Sequence, residues 1–273
     1  MRRMVTLTAD ERLAGPLLKA KRAEFHILNV EAEIGAFLSA QPEPYGISAK
    51  HDPQSRKLIY YISKVTDLPA SLSATIGDAL CSLRAALDHL AQQFYFVGTG
   101  SSTPSWDTCF PILERCSAAE YKTKSKGQVV GMRDDAKDFL FAAQPYNGGN
   151  KALLTLHGLN NIDKHRLLIA TGGFFGKADI GPHVRAQFQQ MLGKDIGPLT
   201  LKFNLSNPMC PLKVGDELFI DAPDAKFNPD QKFEISISLN EPQIIEPQPV
   251  LILLLDLSNT VNGILNLARP LLV

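Results

Sequence analysis

LLTLHGLNNIDKHRLLI, from Leu153 to Ile169, is the stretch on which the reading of this chain turns. It reads as a helix that is apolar on every side. Yet the ten positions from His157 to Arg166 include His157, Asn160, Asn161, Asp163, Lys164, His165 and Arg166. A helix wrapped in leucine is normally buried, and buried polar or charged groups are costly unless partnered. Partners must come from elsewhere in the chain. GDALCSLRAALDHL, Gly77 to Leu90, supplies the best set.

At about 100° per residue, Ile76, Leu80, Leu83, Leu87, Leu90 and Phe94 share one face of that second helix. Asp78, Cys81, Arg84, Ala85, Asp88 and His89 lie on the other. Cys81 and Ala85 are small and sit in the middle of this polar face, and Cys81 is expected to be a buried thiol. The face is therefore expected to pack against the His157–Arg166 helix, with the two polar sets interlocking. His157, Asn161 and His165, spaced i, i+4 and i+8, form a stripe, with Asn160, Asp163 and Lys164 on its flank. Arg84 and Asp88, four apart, are spaced to pair on their own helix.

Three chemistries compete for this constellation. It can be a buried polar network that fixes helix register, with Arg84–Asp88 as an ion pair. It can be a divalent metal site built from His157, His165 and His89 or Asp163, although the Glu-x-x-His pairs of bundle metal sites are missing and no metal is assigned. Or it can be metal-independent nucleic-acid chemistry. Histidine suits acid–base work near neutral pH, arginine grips phosphate bidentately, and RNA brings its own nucleophile in the 2′-OH. In that reading His89 is the general acid/base, Arg84 the phosphate clamp, and Asp163 and His165 complete the catalytic set. Asn160, Asn161, Lys164 and His157 would contact substrate.

GDALCSLRAALDHL, then FPI, then QPY, then LHGLNNIDKHR resembles a set of uncharacterised bacterial proteins carrying the same blocks in the same order. More loosely, a helical bundle with Arg84-x4-His89 is similar to the HEPN superfamily. That resemblance implies an RNase or RNA-binding role, commonly as a dimer, with Arg84 and His89 as the catalytic pair.

The bulk composition narrows the field. The chain has 273 residues with 28 basic and 28 acidic side chains, so no global field draws it to nucleic acid or an anionic membrane. Four cysteines without CxxC or metal-type spacing fit a reduced, cytoplasmic protein. MRRMVTLTADERL is basic but has no apolar run behind it, so no signal peptide is expected. PVLILLLDLSNTVNGILNLARPLLV looks membrane-like, but Asp256, Asn259, Asn262, Asn266 and Arg269 form one polar stripe. A soluble helix closing the core is expected, and no membrane partner. No nucleotide-binding loop is present, and no cofactor is expected. The expected partners are RNA and a second copy of the chain.

The fold class that follows is α+β, mainly a helical bundle with an appended small antiparallel β layer. One domain over 1–273 is expected. Its bundle helices fall at 8–40, 71–97, 134–170 and 249–272, with a β hairpin at 45–65 and a β-rich insertion at 198–241. Thr8 and Glu11 have the spacing of a capping box, and Pro16 is expected to start or kink the first helix. GGFFGKADIGP reads as turns and HVRAQFQQMLGKD is ambiguous. The KTKSK run at 122–126 is a candidate RNA-contacting loop, and Trp106 is expected to anchor its loop to the core.

Overall fold

The computed structural model describes residues 7–179, 200–202, 208–228 and 231–273. Among these residues the fold is α+β, mainly helical with a small antiparallel β component. The helices are α1 (Ala9–Leu38), α2 (Ala70–Thr99), α3 (Ala118–Lys124), α4 (Asp134–Ala142), α5 (Lys151–Asp163) and α6 (Val250–Ala268). The strands are β1 (Tyr45–His51), β2 (Lys57–Val65), β3 (Ala170–Asp179), β4 (Thr200–Lys202), β5 (Glu217–Pro223) and β6 (Lys232–Leu239). The chain divides into two compact units: Met1–Glu31, Ser73–Leu168 and Leu251–Val273 form one, and Ala32–Leu72 and Ile169–Val250 the other.

The first unit is helical. α1 opens with the capping box that the sequence encodes. The Glu11 carboxylate accepts from the Thr8 backbone N–H at 2.8 Å, and Thr8 Oγ1 accepts from the Glu11 N–H at 3.3 Å. The helix neither starts nor stops at Pro16 but runs through it. On α2, Ile76, Leu80, Leu83, Leu87, Leu90 and Phe94 are all at most 1% exposed, so the face read as apolar is the core face. Full burial of each such side chain contributes about 1.5–3 kcal/mol. Phe94 meets Phe139 of α4 edge to face at 5.7 Å, and Phe110 of the following loop is wholly buried.

α6 buries Leu254, Leu257, Val261, Leu265 and Ala268 within the same unit. Its polar side reaches α1 through Asn262, which donates to Glu24 at 3.1 Å, and through an ion pair between Arg269 and Asp10. By length and composition alone the segment Val250–Leu272 could cross a bilayer, and 44% of its apolar window is buried.

The second unit carries two three-stranded antiparallel sheets, ordered β1-β2-β5 and β4-β3-β6. The β1–β2 hairpin turns where Asp52 accepts backbone N–H bonds from Gln54 at 3.2 Å and Ser55 at 2.7 Å. β5 then extends it, with Tyr60 opposite Phe219. Tyr60 sits among the rings of Phe219, Phe227 and Phe233 at centroid distances of 6.3, 6.0 and 5.5 Å, and Phe233 reaches Phe174 at 5.9 Å. These rings join the sheets into one apolar core.

Several expectations are corrected. The helix expected to run to Ile169 stops at Asp163: after a last turn in which the Lys164, His165 and Arg166 N–H groups donate back to Asn160 and Ile162, the chain leaves the helix and the backbone of Ile169 finds partners elsewhere. The Ile169 N–H donates to the Glu241 carboxylate at 3.0 Å, and its carbonyl accepts from the Asn240 N–H at 2.7 Å. The glycine-rich stretch after it is strand β3 rather than a run of turns. Gly172 is there because the ring of Tyr45 lies on it: an added Cβ would come within 2.4 Å of the Tyr45 oxygen. Trp106 is 97% exposed and anchors nothing in its own loop. HVRAQFQQMLGKD lies outside the described residues.

Candidate functional site

α2 and α5 do approach each other, along a line that starts at Gly77. The last residue of α5, Asp163, lies directly against Gly77. Gly77 therefore does the job assigned from sequence to Cys81 and Ala85, and Cys81 is exposed. Asp163 also lies near Asp78. Its carboxyl is pushed above the ordinary aspartate range, first by partial burial and then by the Asp78 charge. α5 begins at Lys151, with Asn150 Oδ1 accepting from the Leu153 N–H at 3.2 Å.

The chemical centre of this contact is Arg84. Its side chain is 11% exposed. Nη2 donates to Asp88 Oδ1 at 2.8 Å and to the Phe110 carbonyl at 2.7 Å. The same Asp88 oxygen accepts from the Phe110 N–H at 2.9 Å. One carboxylate and one peptide thus lock the guanidinium and the FPI segment together, which gives FPI its reason for following α2 in the sequence. Nη1 of Arg84 is buried and has no hydrogen-bond partner among the described residues.

His157 is the α5 residue nearest in effect to Arg84. Its pKa is lowered by burial first and by the Arg84 charge second, which favours the neutral imidazole. One ring nitrogen, Nε2, is 2.9 Å from the Asn161 amide, and the other, Nδ1, is buried without a hydrogen-bond partner among the described residues. Asn160 is 2% exposed. Cys109, beside Phe110, has its thiol pKa raised by burial and by Asp88. Sequence reasoning did not include this thiol in the site, nor the Phe110 peptide. The signal available for both was the position of FPI after a helix with a buried arginine.

His89 does not join this group. It faces α1, where an added Cβ on Gly15 would lie 3.5 Å from His89 Nδ1. Partial burial and the neighbouring Lys19 lower its pKa. A five-residue step turns about 140° on an ideal helix, and the structure leaves that divergence in place. Arg84 points inward and His89 outward. Lys164, His165 and Arg166 are exposed beyond the end of α5. His165 therefore does not continue the His157–Asn161 stripe, and Lys164 bears on the cluster through its charge, which helps to lower the His157 pKa. Among the described residues no group of three or more His, Cys, Asp and Glu side chains is placed to hold a metal ion. In the KTKSK run, Lys122 pairs with Asp138 at 2.8 Å and Lys124 with Glu120 at 3.0 Å, as parts of α3 and not of an open loop.

The arrangement can do two things. It can clamp a loop onto two helices, and it can hold two nitrogens, Arg84 Nη1 and His157 Nδ1, away from water in one charged neighbourhood. Comparison of the chain with protein-family models, with curated proteins and with solved structures gives no match.

Proposed function

We propose that this chain is a non-catalytic interaction protein whose Arg84 cluster is architectural. The observation that carries this reading is the way Arg84 is enclosed. Nη2 is divided between Asp88 and the Phe110 carbonyl, and the side chain is almost entirely out of solvent. A phosphate clamp needs free, reachable donors, and a general acid or base must come within hydrogen-bond reach of the same substrate. Arg84 and His89 face different elements, which does not favour a shared phosphate in one protomer. A second protomer could reach His89 but not the enclosed Arg84. In the same reading α6 is a core helix and no membrane is involved.

The test combines stability and activity. Arg84→Ala and His89→Ala proteins are unfolded in urea, and each is incubated with single-stranded RNA in the absence of divalent ions. The architectural reading expects a large loss of stability for Arg84→Ala, a small one for His89→Ala, and no RNA cleavage by the parent protein. Cleavage by the parent that vanishes in His89→Ala overturns it.

The second reading is a metal-independent RNase or RNA-binding protein of HEPN type, in a cytoplasmic setting. One observation supports it: His89 is exposed, has a depressed pKa and lies beside Lys19, which leaves a neutral imidazole next to a cation. In that reading RNA would be met on the α1–α2 side, and the urea and RNA measurements separate the two.

A further inference from the structure

The two sheets of the second unit leave a gap between their inner faces. On β6, Phe233, Ile235 and Ile237 share one face by alternation. Phe233 and Ile237 are 8% and 2% exposed, but Ile235 between them is only half-buried. On β1, Ile47 stands opposite the wholly buried Ile62 and is itself half-buried. Ile47 and Ile235 line one cavity of about 490 Å³, together with Leu38 and the rings of Tyr60, Phe227 and Phe233. That volume is far larger than the voids of ordinary packing. It falls in the range of small-molecule sites, which have such apolar and aromatic walls.

The chemistry of the walls selects the occupant. The Phe227 ring lies 6.0 Å from that of Tyr60 and is tilted 31° from it. Phe227 is 55% exposed, so this wall has ring surface left for a flat aromatic partner. The segment carrying Phe227 is tied to the β1–β2 hairpin at both ends. The Asp224 N–H donates to the Arg56 carbonyl at 3.0 Å, and the Asn228 N–H to the Tyr60 hydroxyl oxygen at 3.0 Å. Tyr60 is 2% exposed, and its own O–H has no acceptor among the described residues. A buried donor without an acceptor is costly, and an oxygen on a ligand would complete it. Lys232 and Glu234 alternate with Phe233 and Ile235, so their side chains leave from the opposite face of β6. Glu43, the third charged residue of the lining, is exposed. Among the described residues no buried charge stands in the cavity to hold an ion.

We infer that this cavity binds an uncharged aromatic small molecule that carries a carbonyl oxygen. The ring of the ligand lies between Ile47 and Ile235 against the Phe227–Tyr60 wall, and its oxygen accepts from the Tyr60 hydroxyl. Apolar contact supplies most of the affinity, and the single buried donor supplies the selection. Binding here is independent of what the Arg84 cluster does.

Three naphthalene probes test it on the full chain: methyl naphthyl ketone, isopropenylnaphthalene, which has the same shape with a methylene in place of the oxygen, and the anion naphthoate. Calorimetry gives the affinities, and the isoleucine methyl resonances locate the site. The ketone is expected to shift Ile47 and Ile235 and to bind at least about fivefold more tightly than the hydrocarbon. Naphthoate is expected to bind more weakly than the ketone. Tyr60→Phe should bring the ketone down to the level of the hydrocarbon and leave the hydrocarbon where it was. Ile235→Trp, which fills the gap, should abolish binding of both with unchanged circular dichroism. Should that variant fail to fold, Tyr60→Phe decides by itself. A ketone that leaves Ile47 and Ile235 unshifted overturns the inference. So does equal affinity for ketone and hydrocarbon, a preference that survives Tyr60→Phe, or tighter binding of naphthoate.

Discussion

Asp163, the last residue of α5, occupies the space that a side chain on Gly77 of α2 would need: a Cβ there would lie 2.2 Å from Asp163 Oδ1 and 2.5 Å from its Cγ. Two segments far apart in sequence thus meet through the smallest residue of one and the shortest carboxylate of the other. Gly77→Ala is expected to destabilise by about 1–3 kcal/mol, the usual cost of overpacking. In an Asp163→Ala background the same change is expected to be neutral or to stabilise by up to about 1 kcal/mol, because alanine is the better helix former. Urea unfolding of the four proteins measures both. A gain from Gly77→Ala in the parent chain would mean that the two helices do not touch there.

Asp163 also predicts a pH dependence. Its folded pKa is raised above the ordinary 3.8 by partial burial and by Asp78. The carboxylate further sits at the negative end of α5. An acid with a raised folded pKa binds more protons folded than unfolded, so its contribution to stability falls as pH rises through the carboxylate range and stays low above it. Asp163→Asn is therefore expected to be more stable than the parent at pH 7. The advantage should shrink as pH falls through that range. Equal stability at both pH values would remove Asp163 from the contact.

His157 works in the opposite window. Burial and the Arg84 charge lower its pKa below the ordinary 6.5. A histidine with a depressed folded pKa binds fewer protons folded than unfolded, so stability is lost as pH falls below about 6.5. His89 shifts the same way, by burial and Lys19. His157→Gln should flatten part of the acid-side slope between pH 7.5 and 5, and His157→Gln with His89→Gln should flatten more. Thermal melts across that range decide it, and an unchanged slope in the double variant would place the acid sensitivity elsewhere.

Arg84→Ala is expected to cost about 3–5 kcal/mol, as removing one partner of a buried pair does. It leaves the Phe110 carbonyl without a bond that it now accepts at 2.7 Å. Arg84→Lys is expected to recover little of this, since an ammonium is not a planar fork. Hydrogen exchange at the Phe110 amide should rise in both variants. Protection at parental level would show that the loop is held by other contacts.

Tyr45 gives an alkaline test in the second unit. Burial first, then Asp67, pushes its phenol up to about 12. Stability carried by the neutral phenol is present below the ordinary value of 10 and turns to a loss as pH rises from there toward 12, because the folded state keeps the proton longer. Tyr45→Phe is expected to reduce the alkaline loss. Gly172→Ala, which would drive a methyl into the Tyr45 ring, is expected to destabilise at every pH. The two are followed by tryptophan-independent far-ultraviolet dichroism, and a harmless Gly172→Ala would contradict the packing of Tyr45 on β3.

The sequence by itself determined the elements whose information is local. Apolar periodicity of 3.6 marked α1, α2 and α6. Thr8 and Glu11 marked the start of α1, because a cap is made within four residues. Alternation marked the β1–β2 hairpin, and the four-residue spacing of Arg84 and Asp88 marked their ion pair. Tertiary structure alone decided where α5 ends, because the groups that take over the backbone of Ile169 belong to Asn240 and Glu241, some seventy positions away. It decided that Gly172 belongs to a strand, because only the Tyr45 ring explains the missing side chain. It also decided the composition of the candidate site. Helical geometry fixes that Arg84 and His89 diverge, but not which neighbour each one finds. That choice went to the Phe110 peptide for Arg84 and to Gly15 of α1 for His89, through contacts that no spacing within α2 encodes.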